Sequence, residues 1–329
     1  MSRIPLYPLR FAPIFQYRLW GGRRLGGILS EPLPGSDPIG EAWVLSDRTD
    51  HQSLVANGPL QGKALGQLME QSREQLMGKL ASRFTRFPLL LKFLDAQTML
   101  SVQVHPSDAH PQLIPAGDTA KTEAWVVIES DKGSRIYAGL RSGTMASILR
   151  SSLKDGTITD HLVRIDPKPG DAVFIPTGTV HTLGDGVVVF EVQQNSDVTF
   201  RLYDWGHIDP KTKAPRPLQV ENAFACINFG ASDAGLVAAR VETSAPVERE
   251  RLFDCPAFLV WRLLGQNQFP VGATAEPRVL VCIAGSGQIR DNETPYSVGK
   301  GDVWLLPAEA GVCAFQPSGE VTLLEIAIS

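Results

Sequence analysis

The stretch that decides the fold is GDAVFIPTGTVH, residues 170–181. It opens with a Gly-Asp turn, continues as a short apolar strand from Ala172 to Ile175, and bends at Pro176-Thr177-Gly178. A short strand bounded by Gly, Asp and Pro is typical of tightly turning β-structure. The bend places His181 at the start of the next strand, so we expect its imidazole to be available to a metal ion.

Short apolar segments of the same kind recur along the chain. Residues 124–128, 135–137 and 187–190 are rich in β-branched and aromatic residues and are bounded by turn formers. Together with 30 Gly and 24 Pro in 329 residues, they predict a mainly β fold. Three segments depart from this β pattern, because their apolar residues have helical spacing or prolines precede them. We predict helical segments near 62–80, 144–153 and 218–227.

The pattern of residues 170–181 returns in weaker form near the C-terminus. Five residues separate Gly301 from Pro307, the same spacing as in residues 170–176. Val312 stands where His181 stood in the first copy, so the second copy lacks the imidazole that a metal ion would need. This weak repeat predicts two β units of one kind, of which the first alone is active.

Residues 170–181 resemble the second sequence motif of cupins, and this resemblance gives the predicted architecture. We expect two cupin-like β-barrels of the jelly-roll type. The first would occupy residues 1–235 and carry a small helical insertion, with helical segments near 62–80, 144–153 and 218–227. The second, residues 236–329, would be a degenerate cupin-like β domain without metal.

Charge and composition exclude several kinds of partner. The formal net charge is -4 and no long Lys/Arg run is present, so we expect neither a nucleic acid nor a membrane surface as partner. Residues 1–10 contain two prolines and no apolar signal core, which predicts a cytoplasmic protein. The four cysteines have no CxxC spacing, which argues against a thiolate zinc cluster or a disulfide scaffold. A small molecule is the expected partner.

One alternating segment supplies candidate metal ligands. In a strand, Ser101, Gln103 and His105 share one face, while Val102 and Val104 share the other. A polar face means either a wet interior or the solvent side, and the segment alone leaves both open.

Two further segments favour the interpretation that the polar face points into the interior of the fold. Lys121 and Glu123 precede an apolar run, and His181 follows the bend described above. Two imidazoles, a carboxylate and an amide oxygen suit zinc or another divalent ion with one position left open. The predicted ligand set is Gln103, His105, Glu123 and His181. We expect the other four histidines, His51, His110, His161 and His207, to be structural.

The two strands that flank residue 195 also alternate polar with apolar residues. Glu191 and Gln193 lie on the first strand, and Thr199, Arg201 and Tyr203 on the second. A guanidinium that enters the interior must pair with a carboxylate or an anionic ligand, because its unpaired burial is costly. The Arg201 partner is therefore either Glu191 or a bound anion, and the two interpretations can coexist.

At this point the motifs resemble a known family, the type I mannose-6-phosphate isomerases in their compact bacterial form. The motifs follow the family's order over about residues 13 to 206. They are WGG (20–22), GEAW (40–43), FPLLLKFLD (87–95), SVQVHP (101–106), KTE (121–123), GTVH (178–181) and EVQQNSDVTFRLYDW (191–205). One departure is His207, where family members often have Arg, which leaves the lid over the substrate and the exact sugar phosphate in doubt.

The resemblance implies a function and roles for individual residues. One Zn²⁺ per chain would be held by the predicted ligand set, and mannose 6-phosphate and fructose 6-phosphate would interconvert through a cis-enediol. Arg201 would lie beside the reacting carbons, with Lys121 and Glu191 near the metal as catalytic residues. Ser101 and Lys92 would help to hold the substrate's phosphate. The general base is left open among Glu191, Lys121 and a metal-bound water.

Other functions remain as alternatives. A cupin that binds a sugar phosphate without catalysis would have no need of Arg201, and an isomerase acting on a related sugar phosphate would share most of the site. An iron-dependent oxygenase is disfavoured, because Gln103 replaces an imidazole in the ligand set. The sequence allows a monomer or a homodimer.

Overall fold

The computed structural model describes residues 5–230 and 234–329 of the chain. Residues 1–4, which belong to the segment from which a cytoplasmic location was predicted, lie outside the described residues, as do residues 231–233 next to the predicted domain boundary. The fold is mainly β. No helix in the described parts is both long enough and apolar enough to cross a membrane.

The strands are short and numerous, as the Gly- and Pro-rich sequence requires. In the first part of the chain they are β1 (Leu9–Arg10), β2 (Ile14–Gly22), β3 (Ile39–Leu45), β4 (Asp47–Arg48), β5 (His51–Gln52), β6 (Leu89–Ala96), β7 (Val102–Val104), β8 (Glu123–Ser130), β9 (Arg135–Leu140), β10 (Leu162–Ile165), β11 (Ala172–Ile175), β12 (His181–Gly184), β13 (Val187–Gln194) and β14 (Phe200–Tyr203). The remaining strands are β15 (Gly235–Leu236), β16 (Arg240–Thr243), β17 (Glu248–Asp254), β18 (Phe258–Gly265), β19 (Phe269–Gly272), β20 (Arg278–Ala284), β21 (Ser286–Asp291), β22 (Thr294–Gly299), β23 (Val303–Leu306), β24 (Val312–Pro317) and β25 (Val321–Ile328).

Helices occur at the three places where the sequence predicted them. The first segment is divided into α1 (Leu65–Gln71) and α2 (Arg73–Met77), because Ser72 between them has a non-helical φ of -141°. The other two are α3 (Ala146–Asp155) and α4 (Val220–Cys226). Short 3-10 turns lie at Arg24–Gly27, Gly58–Leu60, Gly78–Leu80, Pro111–Leu113 and Ile158–His161.

Two facing sheets form the first unit. One has seven strands in the order β15-β11-β8-β13-β6-β2-β3, and the other has five in the order β10-β9-β12-β7-β14. Apolar side chains from both sheets, among them Trp125, Val189 and Ile136, pack between them. Within the described residues neither sheet closes on itself, so the structure shows a pair of open sheets and does not confirm the predicted jelly-roll barrel.

The second unit repeats this plan. Its sheets have the orders β1-β23-β20-β25-β18-β17-β16 and β19-β24-β21-β22. A separate core that includes Leu263, Phe269 and Phe315 lies between them. The first strand of the chain, β1, belongs to this second unit through its pairing with β23, and β15 pairs with β11 of the first unit.

The two units share one hydrophobic core. The outer face of the first seven-stranded sheet supplies Phe93 and Phe190, and the second seven-stranded sheet supplies Val281 and Leu324. Leu65, on α1, belongs to the same cluster. The inner face of the first sheet carries the polar side chains that form the site, next to the apolar side chains packed between the two sheets.

Candidate active site and metal centre

Strand register brings the candidate ligands together from both sheets of the first unit. On the five-stranded sheet His181 pairs directly with Gln103, and His105 directly follows the same strand, β7. On the opposite sheet Glu123 begins β8, where it pairs with Ile175 and Gln193. The side chains of His105, Glu123 and His181 are fully buried.

Three of these side chains form a compact donor set. The His181 Nε2 atom lies 3.1 Å from Glu123 Oε1, and the His105 Nε2 atom lies 3.4 Å from Glu123 Oε2. One ligand atom from each of the three residues lies within 4.8 Å of the others. Two imidazole nitrogens and a carboxylate oxygen at this spacing suit a divalent metal ion.

Hydrogen bonds orient both imidazoles toward that set. The Nδ1 atom of His105 lies 2.8 Å from the Val198 carbonyl oxygen, and that of His181 lies 2.9 Å from the Thr179 carbonyl oxygen. A carbonyl oxygen only accepts, so each Nδ1 carries the proton and each Nε2 lone pair faces the cluster, as in metal-binding histidines. Burial and the neighbouring Lys121 ammonium lower the pKa of His105 to about 3, which keeps that ring neutral.

The carboxylate of the cluster is ionised. Burial alone would raise the pKa of Glu123, but the Lys121 ammonium and the two imidazoles hold it well below its usual range. Lys121 Nζ lies 2.9 Å from Glu123 Oε2 and 3.2 Å from His105 Nε2. Although burial opposes its charge, Glu123 and Glu191 raise the pKa of Lys121, so the lysine is an ammonium.

Gln103 lies at the edge of the cluster. Its side-chain Nε2 is 3.2 Å from His181 Nε2, and its Oε1 is 3.4 Å from the Ser101 hydroxyl oxygen. A half-turn of the amide would present Oε1 to the position between the imidazoles, which is the orientation a cation requires. All four predicted ligands therefore lie in one place, and the donor set fits a metal ion.

A row of paired residues crosses the inner face of the seven-stranded sheet beside the cluster. In register, Trp43 pairs with Lys92, Lys92 with Glu191, and Glu191 with Trp125. The Trp125 indole N–H donates to Glu191 Oε1 at 2.9 Å, and Lys92 Nζ lies 3.4 Å from Glu191 Oε2. Burial raises the pKa of Glu191 even though Lys92 acts in the opposite direction. This carboxyl group therefore takes up a proton more readily than an exposed glutamate.

A cavity of about 490 Å³ lies beside the cluster. Gln103, Lys121, Glu191, Lys92 and Ser101 line it together with Arg201. Arg201 is tied to the wall by two bonds: its Nε donates to the Ser101 hydroxyl oxygen at 3.2 Å, and its Nη1 donates to the Pro217 carbonyl oxygen at 2.9 Å.

No carboxylate among the described residues forms an ion pair with Arg201, so the predicted alternative of a pairing with Glu191 is wrong for this conformation. Glu191 is paired with Lys92 instead. Burial and the charges of Arg216 and Arg18 lower the pKa of Arg201. An anion in the cavity would relieve that repulsion.

Several cavity residues were not among the predicted site residues. Arg18, Tyr17 and Arg216 line the cavity but come from segments that carry no metal-ligand pattern. Glu41 belongs to the GEAW motif, where its spacing of two from Trp43 was the available signal; the Trp43 indole N–H donates to Glu41 Oε2 at 2.7 Å. Their proximity depends on the packing of β2 and of the segment before α4, which alternation within one strand does not reveal.

The second unit has different residues at the positions of the metal ligands. In the first unit Glu123 pairs with Ile175, the residue before Pro176; in the second, Arg278 pairs with Leu306, the residue before Pro307. His181 pairs with Gln103, whereas Val312 pairs with Gly272. Each of these positions has lost its donor, and the described residues contain no second cluster like that of His105, Glu123 and His181.

A larger groove of about 810 Å³ lies between the first helical segment and the second unit. Its lining includes Glu70, Arg73, Glu74 and Glu309 but none of the clustered metal donors. The smaller cavity is the better candidate site because it adjoins the buried donor set.

Fold and site together define a cupin-like protein with a buried cluster that could hold a metal ion, beside a cavity lined by charged side chains. Comparison with known proteins gives the family. The family model "Phosphomannose isomerase type I, catalytic domain" matches residues 9–131. Mannose-6-phosphate isomerase ManA of Bacillus subtilis (strain 168) is 36% identical over 307 residues, which cover 92% of this chain and 94% of that protein.

Two further comparisons agree. The mannose-6-phosphate isomerase of Streptococcus mutans serotype c is 34% identical over 304 residues, covering 91% of this chain and 92% of that protein. The crystal structure of the mannose 6-phosphate isomerase from Bacillus subtilis superposes with a TM-score of 0.88 at 30% identity, covering 98% of this chain and 99% of that one. The chain belongs to the type I phosphomannose isomerase family.

Proposed function

We propose that this protein is a metal-dependent mannose-6-phosphate isomerase, an aldose-ketose isomerase of class EC 5.3.1.8. It interconverts mannose 6-phosphate and fructose 6-phosphate by moving a proton between C1 and C2. The observation that carries the proposal is the buried cluster of His105, Glu123 and His181, which adjoins, through Gln103 and Lys121, a cavity that is also lined by Arg201. The identity of the substrate is inferred from membership of the type I phosphomannose isomerase family.

The ion is one Zn²⁺, and its ligands are Gln103, His105, Glu123 and His181. Neutral imidazoles and a carboxylate suit zinc, and the protein donors leave a position for substrate oxygen. When bound, the ion polarises the oxygens on C1 and C2 and thereby acidifies the neighbouring C–H bond.

The proton acceptor is Glu191. Its buried carboxylate lies in the cavity wall, and burial raises its pKa above the usual range of a glutamate. Lys121 is a poorer acceptor, because an ammonium has no lone pair; its charge instead favours the enediolate. Arg201 adds a second positive charge on the opposite sheet, while Ser101 and Lys92 contact the substrate from the wall. The proton taken from one carbon is returned to the other.

The fold assignments that go with this function are also proposals. We take residues 1–235 as the catalytic cupin domain and 236–329 as a degenerate cupin-like domain, each a jelly roll of two sheets. Loss of the donors at Arg278 and Val312 supports a second domain without metal. We place the protein in the cytoplasm, since all four cysteines are buried and unpaired. We take it to be a monomer or a homodimer.

The test is turnover of mannose 6-phosphate by the purified protein, before chelation, after chelation and with zinc restored. We expect chelation to abolish turnover and zinc to restore it. A protein that holds one metal ion per chain but never forms fructose 6-phosphate would refute the proposal and favour a binding cupin or an isomerase for a related sugar phosphate. Metal content measured on the same samples separates these outcomes from simple loss of the ion.

A further inference from the structure

Three guanidinium groups lie in the wall of the cavity. Arg18 on β2, Arg201 on β14 and Arg216 in the segment before α4 all line it. Their proximity has an electrostatic effect, because Arg216 and Arg18 both contribute to the lowered pKa of Arg201. Like charges gathered around one cavity favour an anionic ligand.

Two of the three arginines are held rigidly by a carboxylate. Arg18 donates through Nε and Nη2 to the two oxygens of Glu41, at 2.9 and 3.1 Å. Arg216 donates in the same manner to Asp204, with its Nε at 2.9 Å from Oδ2 and its Nη2 bonded to Oδ1. A bidentate pair of this kind fixes the plane of the guanidinium and lowers the entropy that a ligand would otherwise have to remove.

These pairs leave donors for a ligand. A guanidinium has five N–H groups, and the pairing with Asp204 engages only two nitrogens of Arg216. Within residues 5–230 and 234–329, the Nη1 group of Arg216 and the Nη2 group of Arg201 make no hydrogen bond. Both residues are partly exposed, so an incoming ligand can reach these groups.

The charged side chains of the cavity also favour an anionic ligand. Its lining has five cationic side chains, Arg18, Lys92, Lys121, Arg201 and Arg216, and four carboxylates, Glu41, Glu191, Asp197 and Asp209. Glu41 and Glu191 are committed to Arg18 and Lys92, and the Tyr17 hydroxyl donates to Asp209 at 3.2 Å. Asp197 is exposed to solvent. Arg216 is paired with Asp204 and Lys121 with Glu123, so Arg201 is the cation of this lining that has no carboxylate partner among the described residues, and Arg18 and Arg216 act on it as neighbouring charges.

The shape of the proposed substrate indicates which of its groups these arginines bind. C1 and C2 of a hexose phosphate must lie at the metal cluster, so the phosphate on C6 is at the other end of the molecule. We propose, on the basis of the proposed function, that Arg18 and Arg216 bind the phosphate of the substrate and determine specificity for phosphorylated sugars. Lys92, engaged with Glu191 at 3.4 Å, serves the inner part of the cavity.

The experiment compares Arg216→Gln and Arg18→Gln with wild type in the zinc-loaded protein. We expect KM for mannose 6-phosphate to rise on the order of 10- to 100-fold, the usual effect of losing a charged hydrogen bond, with a much smaller change in kcat. Arg150→Gln is the matched control: it removes another bidentate pair, with Glu221 at 2.7 Å, outside the cavity. Its KM should equal that of wild type.

A second measurement separates this inference from the proposed function. Calorimetric titration with inorganic phosphate requires no turnover, and we expect Arg216→Gln to bind phosphate at least about 10-fold more weakly than wild type. Arg216→Lys retains the charge without the fork, so it should show an intermediate loss even if the glutamine variant fails to fold. Unchanged KM and phosphate affinity in folded variants of both arginines would overturn the assignment, whatever sugar phosphate the enzyme converts.

Discussion

Two buried glutamates of the cavity wall show how neighbours set the behaviour of one residue type. Glu41 and Glu191 each accept a hydrogen bond from a tryptophan indole. Burial acts against ionisation of both, but the Arg18 and Lys92 charges overcome it at Glu41 and lower its pKa to about 2. At Glu191 burial prevails, because Lys92 is opposed by the negative charge of Glu123, and the pKa is raised. Glu41 is a fixed anion, whereas Glu191 can exchange a proton.

This difference predicts the pH dependence of the reaction. If Glu191 accepts the proton, kcat/KM falls as the pH drops through its raised pKa, above the ordinary range of a glutamate. Lys92→Met removes a charge that favours the carboxylate, so the acidic limb of the profile should move to higher pH. The pH profile of kcat/KM for the zinc-loaded protein measures this shift.

The controls for this prediction are a surface lysine and an isosteric variant. Lys79→Met removes an exposed ammonium 3.9 Å from Glu276 and should leave the profile where it is. Glu191→Gln should retain metal and lose the acidic limb together with most of the activity, by about 10²- to 10⁴-fold. A fully active Glu191→Gln enzyme would exclude this residue as the acceptor.

The grouping of single site residues was predictable from sequence where those residues lie along one strand. Alternation along β7 groups Ser101, Gln103 and His105, and the structure places them on the side that faces Glu123. Arg18 and Arg216 lie in segments far apart in sequence, and their meeting depends on how β2 and the stretch before α4 fold over the cavity. No local pattern encodes that packing, so these arginines could not be found before the structure was known.

Among the structural elements, the bend at residues 176–178 is the one on which both metal-binding imidazoles depend. The Gly178 N–H donates to the His105 carbonyl oxygen at 2.9 Å, and the next residue, Thr179, accepts the bond that orients His181. The Gly178 carbonyl oxygen accepts from Asn228 N–H at 2.9 Å, which ties the bend to the end of α4. One turn therefore sets the positions of two ligands.

The glycine of this bend is expected to be irreplaceable. Gly178 has φ of +78°, and an added Cβ would lie 2.9 Å from the Cys226 carbonyl oxygen. Gly178→Ala should therefore destabilise the protein by about 3 kcal/mol, through backbone strain together with a clash, and should lower its zinc affinity. Thermal unfolding and metal content after dialysis measure the two effects.

Gly143→Ala is the matched variant, because Gly143 has φ of +82° but open space around its missing side chain. It carries the backbone strain alone, so we expect a loss of about 1 kcal/mol and full zinc content. Equal effects of the two substitutions on metal content would show that the bend does not position the ligands.

At the level of elements, sequence periodicity located the helices but not their division. Leu65, Leu68 and Leu76 are all buried, as the apolar spacing requires. The break at Ser72 was not predictable, because serine is tolerated in helices and no Gly or Pro marks the position. The predicted jelly-roll barrels were not confirmed, and sequence could not decide the point, because alternation within strands is the same in an open pair of sheets and in a barrel.

For the whole molecule, the core shared by the two units couples the stability of the metal site to the second unit. Leu324 lies on β25 of the second unit, is fully buried and belongs to the same cluster as Phe93 and Phe190. Leu324→Ala should destabilise the whole chain by about 2–5 kcal/mol. Unfolding followed by zinc release and by tryptophan fluorescence should shift together, because both units unfold in one transition.

A different result for Leu324→Ala would contradict this prediction. If zinc release kept the wild-type midpoint while the fluorescence transition moved, the two units would unfold independently. The repeat in the sequence predicted two units but gave no sign of a common core, because the residues that form it are apolar in any arrangement of the two.

The pairing of β1 with β23 also bears on how the protein is made. Leu9 and Arg10 pair with Leu305 and Trp304, so β1 leaves the ribosome long before the strand with which it pairs. The second sheet cannot be completed until β23 has been made, and until then β1 remains an unpaired strand in the nascent chain. Folding of this enzyme therefore includes, as a late step, the joining of two segments that are made far apart in time.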